Sequence, residues 1–288
     1  MLRSVNLFTA FCFGLASTAA LADFDASLKA YEVHDYATTF NQCATNAKSG
    51  DAKCQIALGE LYSNGLGVPQ DYAEAARWFR KAADQGVATA QFNLGTNYYK
   101  GQGVHQDYAE AVRWYRKAAD QGVAAAKFNL GAHYDKGLGV PQDYAEAARW
   151  YRKAADQGFA AAQFNLGTHY YKGQGVHQDY AEAVRWFRKA ADQGDAAAQF
   201  SLGIHYQLGQ GVPQDYAEAA RWFRKAADQG FAAAQFNLGT HYQLGQGVPQ
   251  DYAEAARWFR KAADQGDAAA QFNLGVLYQL GQGVLLRV

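Results

Sequence analysis

Pro69-Gln-Asp-Tyr-Ala-Glu-Ala-Ala-Arg-Trp-Phe-Arg-Lys-Ala-Ala-Asp-Gln-Gly86 decides the fold, because it returns almost unchanged every 36 residues. Copies begin at positions 69, 105, 141, 177, 213 and 249, and all six tryptophans (Trp78, Trp114, Trp150, Trp186, Trp222, Trp258) share one register within it. A fixed period of this length marks a solenoid, in which each unit buries its apolar face against its neighbours. Inside the phrase, Asp71 followed three residues later by Glu74 is a capping-box start, and Gly86 supplies the left-handed residue that stops a helix. Ala75, Trp78, Phe79, Ala82 and Ala83 fall on one helix face at i, i+3, i+4 and i+7.

The stretch before each copy carries another helical pattern, so each unit holds a first-type and a second-type helix. In the unit starting near Ala88, Leu94, Gly95 and Tyr98 form the core stripe of the first-type helix, and Gly95 permits close helix contact. The link Lys100-Gly-Gln-Gly-Val-His-Gln106 turns the chain back. Its Gly101 and Gly103 are turn glycines, because no strand precedes them and the third glycine of a dinucleotide fingerprint is missing. The predicted fold class is all-α: a right-handed α-solenoid of tandem antiparallel helix hairpins. The expected organisation is a signal peptide at 1–22, a capping hairpin at 23–50, six 36-residue repeats at 51–266 and a partial repeat at 267–288. After Val284 the expected Pro-Gln-Asp-Tyr does not come, which predicts an unpartnered last helix with Leu277, Leu280 and the Leu285-Leu286 pair on apolar surface.

Lys plus Arg and Asp plus Glu balance at 27 each, so no basic block provides a nucleic-acid footprint. Arg3, the apolar stretch Val5 to Leu15 and Ala20-Leu21-Ala22 read as an export signal cleaved after Ala22, which places the mature chain in a periplasm or outside the cell. No later segment is apolar enough for a membrane span. Cleavage would remove Cys12 and leave Cys43 and Cys54, which the repeat register sets on adjoining helices; an oxidising compartment then suggests a disulfide.

Gln91-Phe-Asn-Leu-Gly-Thr-Asn-Tyr98, Gly101-x-Gly-Val104, Gln106-Asp-Tyr-Ala-Glu-Ala111 and Arg116-Lys-Ala-Ala119 resemble the Sel1-like repeat family, the longer-looped relative of the tetratricopeptide repeats. The likeness covers nearly everything after the signal. Phe24 to Gly50 is looser and resembles a tetratricopeptide-type hairpin. The resemblance implies an adaptor whose first-type helices line a concave groove, with an asparagine before the core Leu-Gly pair bonding a bound peptide. The matching column is Asn93, Asn129, Asn165, Asn237 and Asn273, broken by Ser201. Phe92, Phe128, Phe164, Phe200, Phe236 and Phe272 flank it on one side, and Tyr99, Asp135, Tyr171, Gln207, Gln243 and Gln279 on the other. An amide can donate to and accept from an extended backbone, which favours a peptide ligand; the competing reading is that the asparagines brace neighbouring repeats. The residue ending each first-type helix changes from Lys100, Lys136 and Lys172 to Leu208, Leu244 and Leu280, which predicts a groove basic at one end and apolar at the other.

His133, His169, His205 and His241 also form a column, but repeats stack too far apart for neighbouring imidazoles to share a metal, so a structural role is expected. The mature chain's serines lack a nucleophile elbow. Family members reported to act on β-lactams carry a cysteine in each repeat, which this chain lacks. Arg77-Trp-Phe-Arg-Lys81 mixes bases and aromatics, with its cations expected to pair with acids one helical turn away. The resulting expectation is an exported, cofactor-free, non-enzymatic scaffold for a protein or extended peptide, with a cell-wall glycan as the rival ligand.

Overall fold

The structure, a computed structural model, describes residues 33–283. The expected signal segment, the start of the capping hairpin and the Leu285-Leu286 pair lie outside them. The described residues form fourteen α-helices and no strand. The second-type helices are α1 (Tyr36–Lys48), α3 (Tyr72–Asp84), α5 (Tyr108–Asp120), α7 (Tyr144–Ala155), α9 (Tyr180–Asp192), α11 (Tyr216–Asp228) and α13 (Tyr252–Ala263). The first-type helices are α2 (Ala52–Asn64), α4 (Ala88–Lys100), α6 (Ala124–Lys136), α8 (Ala160–Lys172), α10 (Ala196–Leu208), α12 (Ala232–Leu244) and α14 (Ala268–Gln279). The chain divides into two compact units, Met1–Ala118 and Ala119–Val288. Each is all-α, with consecutive helices inside a unit packed on one another. This is the α-solenoid class that the 36-residue period predicts.

Local chemistry sets the helix ends. The Asp71 carboxylate accepts from the Ala73 and Glu74 amides at 2.8 and 3.0 Å, and Asp143, Asp215 and Asp251 repeat the pair. Each such cap is worth about 1 kcal/mol. Gly103 has φ 71° and lies so close to the preceding helix start that a Cβ would fall 1.8 Å from the Tyr72 carbonyl oxygen. Two independent constraints therefore demand glycine in this turn.

The core is built between repeats. In the first unit, Phe79, Ala82, Ala83, Ala90 and Leu94 cluster with Trp114 of the following hairpin. In the second, Trp186, Trp222 and Trp258 each complete the cluster of the hairpin before them. A first-type glycine admits each second-type aromatic ring: a Cβ on Gly95 would meet Tyr115 at 2.8 Å, and one on Gly203 would meet Phe223 at 2.4 Å. Removing the side chain at one position lets the large ring seat against the helix backbone.

A glutamine clasp supplements this packing. Gln55 donates to the Ala47 carbonyl at 3.0 Å and accepts from Gln85, which also donates to the Gly50 carbonyl at 3.0 Å. In the second unit, Gln163, Gln199 and Gln235 make the same backbone bond and accept from Gln193, Gln229 and Gln265 at 2.7–2.8 Å. Lys127 takes this register once; burial, aided by the charge of Lys153, lowers its pKa.

Cys43 and Cys54, the pair expected to bridge, are buried side by side in one cluster with Ala47, Ala57, Leu58, Leu61 and Trp78. One expectation needs correction. The cations of the basic–aromatic run divide differently from the sequence reading. Arg77 does pair with Glu74, but Arg80 donates to the Tyr98 hydroxyl and stacks on Tyr98 and Trp114, while Lys81 sits 4.0 Å over Trp78. Aromatic faces that close attract cations more specifically than a solvated carboxylate one turn away.

Candidate functional site

First-type helices expose their C-terminal residues because the left-handed glycine that follows, such as Gly173 at φ 68°, turns the chain away. In the first unit, Lys100 is exposed, Tyr99 is at the edge of exposure beside Tyr108, and Asn93 is half-buried. Phe92 packs on the Tyr115 ring at 5.7 Å. In the second unit, Lys136 and Lys172 are exposed, and the column continues as Leu208, Leu244 and Leu280 at 54%, 56% and 62% exposure. Tyr171 stacks against Tyr180 and His205. A surface column thus runs from cationic to aliphatic within one unit.

The phenylalanines proposed as its flank serve mainly to join helices. Phe128, Phe164, Phe200 and Phe236 are half-buried against Tyr151, Phe187, Phe223 and Phe259. The asparagines are half-buried too. Asn165 bonds the Tyr151 hydroxyl, and Asn237 donates to the Ala233 carbonyl of its own helix at 2.8 Å. Asn129 and Asn273 occupy the same register on α6 and α14.

Behind this column the histidines close the loops. His133, His169, His205 and His241 are buried, and each Nδ1 lies 2.7–2.8 Å from the carbonyl five residues on. Nδ1 therefore carries the proton and donates it. Desolvation lowers the pKa of His133, His205 and His241, partly opposed by that backbone bond. His169 differs because Asp135 replaces tyrosine or glutamine in the surface column and sets Oδ1 3.4 Å from His169 Nε2. Burial first, then the Asp135 charge, raises the Tyr151 hydroxyl pKa, while the Asn165 bond lowers it.

The Sel1 repeat pattern matches residues 52–87, 88–123, 124–159, 160–195, 196–231, 232–267 and 268–287. The chain belongs to the Sel1 repeat family. Sel1 repeat proteins are in general protein-interaction scaffolds. Among solved structures, this Sel1 repeat chain is similar to c5321, a protective antigen present in uropathogenic Escherichia coli strains and displaying an SLR fold. Identity is 42% and the TM-score 0.83, over 84% of this chain and 52% of that one. The chain thus spans about half the length of that antigen. It is also similar to a Sel1 repeat protein from Oxalobacter formigenes, at 35% identity and TM-score 0.74, over 83% of this chain and 96% of that one. A comparison with curated proteins finds no match. No helix among the described residues is long and apolar enough to cross a membrane.

The glutamine clasp and the arginine–aromatic stacks are the features that sequence reasoning missed. Their signal was present as 36-residue recurrence of Gln55, Gln91, Gln163, Gln199 and Gln235, with Lys127 as the single departure.

Proposed function

We propose that this Sel1 repeat chain is an exported, non-enzymatic scaffold that holds an extended polypeptide along the exposed ends of its first-type helices. The observation carrying the reading is the column Lys136, Lys172, Leu208, Leu244 and Leu280 within one unit. Cations followed by exposed leucines suit a ligand with an acidic segment followed by an apolar one, since both charge pairing and apolar burial then favour one orientation. The asparagines act as secondary contacts, because Asn165 and Asn237 already have partners within the fold.

Affinity capture from an envelope extract tests the proposal, comparing the parent with a Leu208→Lys, Leu244→Lys variant. Both leucines are more than half exposed, so the fold should survive the change. A defined polypeptide retained by the parent and lost by the folded variant supports the column as the site. Equal recovery refutes it. Export is tested separately by sequencing the mature N-terminus, expected at Asp23.

A further inference from the structure

Among the described residues, His169 is the buried histidine set against a carboxylate. Its Nδ1 lies 2.8 Å from the Gln174 carbonyl, an acceptor, so Nδ1 carries a proton and Nε2 keeps a lone pair. Edge-on ring contacts with Tyr144 and Tyr151, at 6.1 and 5.4 Å, hold the imidazole in that orientation. Asp135 Oδ1, from the neighbouring repeat, stands 3.4 Å from Nε2. The His169 side chain is 3% exposed and that of Asp135 29%. A carboxylate oxygen and an imidazole lone pair are both acceptors, so they repel at this distance. One proton on Nε2 reverses the interaction, and about 0.5 Å of carboxylate movement then gives a charge-assisted bond. Imidazole is the stronger base of the two, so that proton resides on Nε2.

The charged and titratable groups around the pair are exposed or engaged with other partners. Lys136 follows Asp135 on α6 and Lys172 lies one turn past His169 on α8; both are exposed. On α7, Tyr144 and Tyr151 face the imidazole, the Tyr151 hydroxyl is bonded to Asn165, Glu146 pairs with Arg149, and Arg152 reaches the Tyr170 hydroxyl. On α9, Phe187 fills the space at Gly167, while Glu182 pairs with Arg185 and Arg188 reaches the Tyr206 hydroxyl. His205 of α10 stacks on Tyr171. The register of Asp135 is occupied by Tyr171, Gln207 and Gln243 in the following repeats, none of them an acid. Asp135 thus places a carboxylate at one seam of the unit, between α6 and α8.

We propose that Asp135 and His169 form a proton-operated tie between neighbouring repeats, closed when Nε2 is protonated and released when that proton leaves. The tie joins α6 and α8 near the exposed Lys136 and Lys172, so its state sets how firmly those two cations are spaced. Its response to pH runs opposite to that of His133, His205 and His241, whose burial disfavours the charged form. The tie stabilises the seam in acid and loses that contribution as pH rises. The inference concerns the free chain and holds whether or not the column binds a polypeptide.

The test compares the parent with Asp135→Gln, which copies the native Gln207 and Gln243 at the same register and should fold. Imidazole nitrogen NMR on the histidine-labelled full-length chain follows protonation from about pH 5 to pH 9, with His169 assigned from the spectrum of His169→Asn. His169 should keep its Nε2 proton to a pH about one unit higher in the parent than in Asp135→Gln, with His205 and His241 unmoved. Hydrogen exchange of the Gln174 amide, bonded to the His169 carbonyl at 3.0 Å, reads the tie itself. Its protection should fall with rising pH in the parent and stay level in the variant. Equal His169 titration in the two proteins overturns the proposal, as does a parent whose Gln174 protection is independent of pH.

Discussion

Replacing Gln199 by leucine tests whether the glutamine clasp couples neighbouring repeats. The substitution keeps the side-chain bulk but deletes two hydrogen bonds: the 3.1 Å donation to the Ala191 carbonyl and the 2.8 Å acceptance from Gln229. Gln229 retains the Gly194 carbonyl at 3.0 Å and is not orphaned. The Ala191 carbonyl, in the last turn of α9 at a buried seam, loses its side-chain donor but keeps the Gly194 amide at 3.0 Å, so it is not orphaned either. The two lost bonds cost about 2 kcal/mol together, while leucine's added apolar burial regains about 1 kcal/mol. The net expectation is a loss of about 1 kcal/mol. Gln271→Leu is the control, because Gln271 makes the same backbone bond, at 3.3 Å to Ala263, from an exposed position. Its cost should stay within about 0.5 kcal/mol. Urea unfolding followed by tryptophan fluorescence reads both variants. In an array held by nearest-neighbour terms, Gln199→Leu should also broaden the transition as repeats uncouple. Equal costs for the two variants would refute the clasp as a source of coupling.

Other outcomes follow from the same geometry. Gly203→Ala should destabilise by about 1–2 kcal/mol, since the ring clash exceeds the gain in helix propensity, whereas Gly275→Ala should stabilise by up to about 1 kcal/mol; paired thermal melts check the opposite signs. Burial holds the folded pKa of His133, His205 and His241 below the ordinary value near 6.5, so the unfolded chain binds protons that the folded chain refuses. Stability should therefore be full above about pH 7 and fall as pH drops through 6.5 toward the folded values, by at most about 1.4 kcal/mol per pH unit for each histidine. Chemical denaturation at pH 7.5, 6.5 and 5.5 measures the slope, and His→Asn variants, which copy the native Asn97 at the same register, should flatten it. Arg224→Lys should cost about 0.5–2 kcal/mol through loss of the planar stack between Tyr242 and Trp258, read by the same unfolding assay.

The fold was legible because its determinants are local and repeated: Asp71 caps, Gly101 and Gly103 turn, and Trp78 with Phe79 marks the buried face. The seams were harder to read. Gln199 and Gln229 look like ordinary polar residues of a helix and its end, and nothing in their immediate neighbours announces the bond between them. Arg80 has Asp84 one turn ahead, so its choice of Tyr98 and Trp114 depends on chain 18 to 34 residues distant. The candidate site was partly legible. Exposure of the lysine and leucine column follows from its place before a turn glycine. The engagement of Phe128 and Phe164 by the next helix, and of Asn165 by Tyr151, depends on how closely the glycine notch lets helices approach.

The sameness of the seams has a consequence for heredity. Within each unit, a repeat meets its neighbour through a glycine notch, a ring and, with an exception at Lys127, a pair of amides. Excising or adding 36 residues between equivalent points, such as 181 and 217, rejoins surfaces that already fit. Recombination between the near-identical coding copies can therefore lengthen or shorten the array without passing through a misfolded ancestor, and the register of exposed lysines and leucines changes in whole steps along with it.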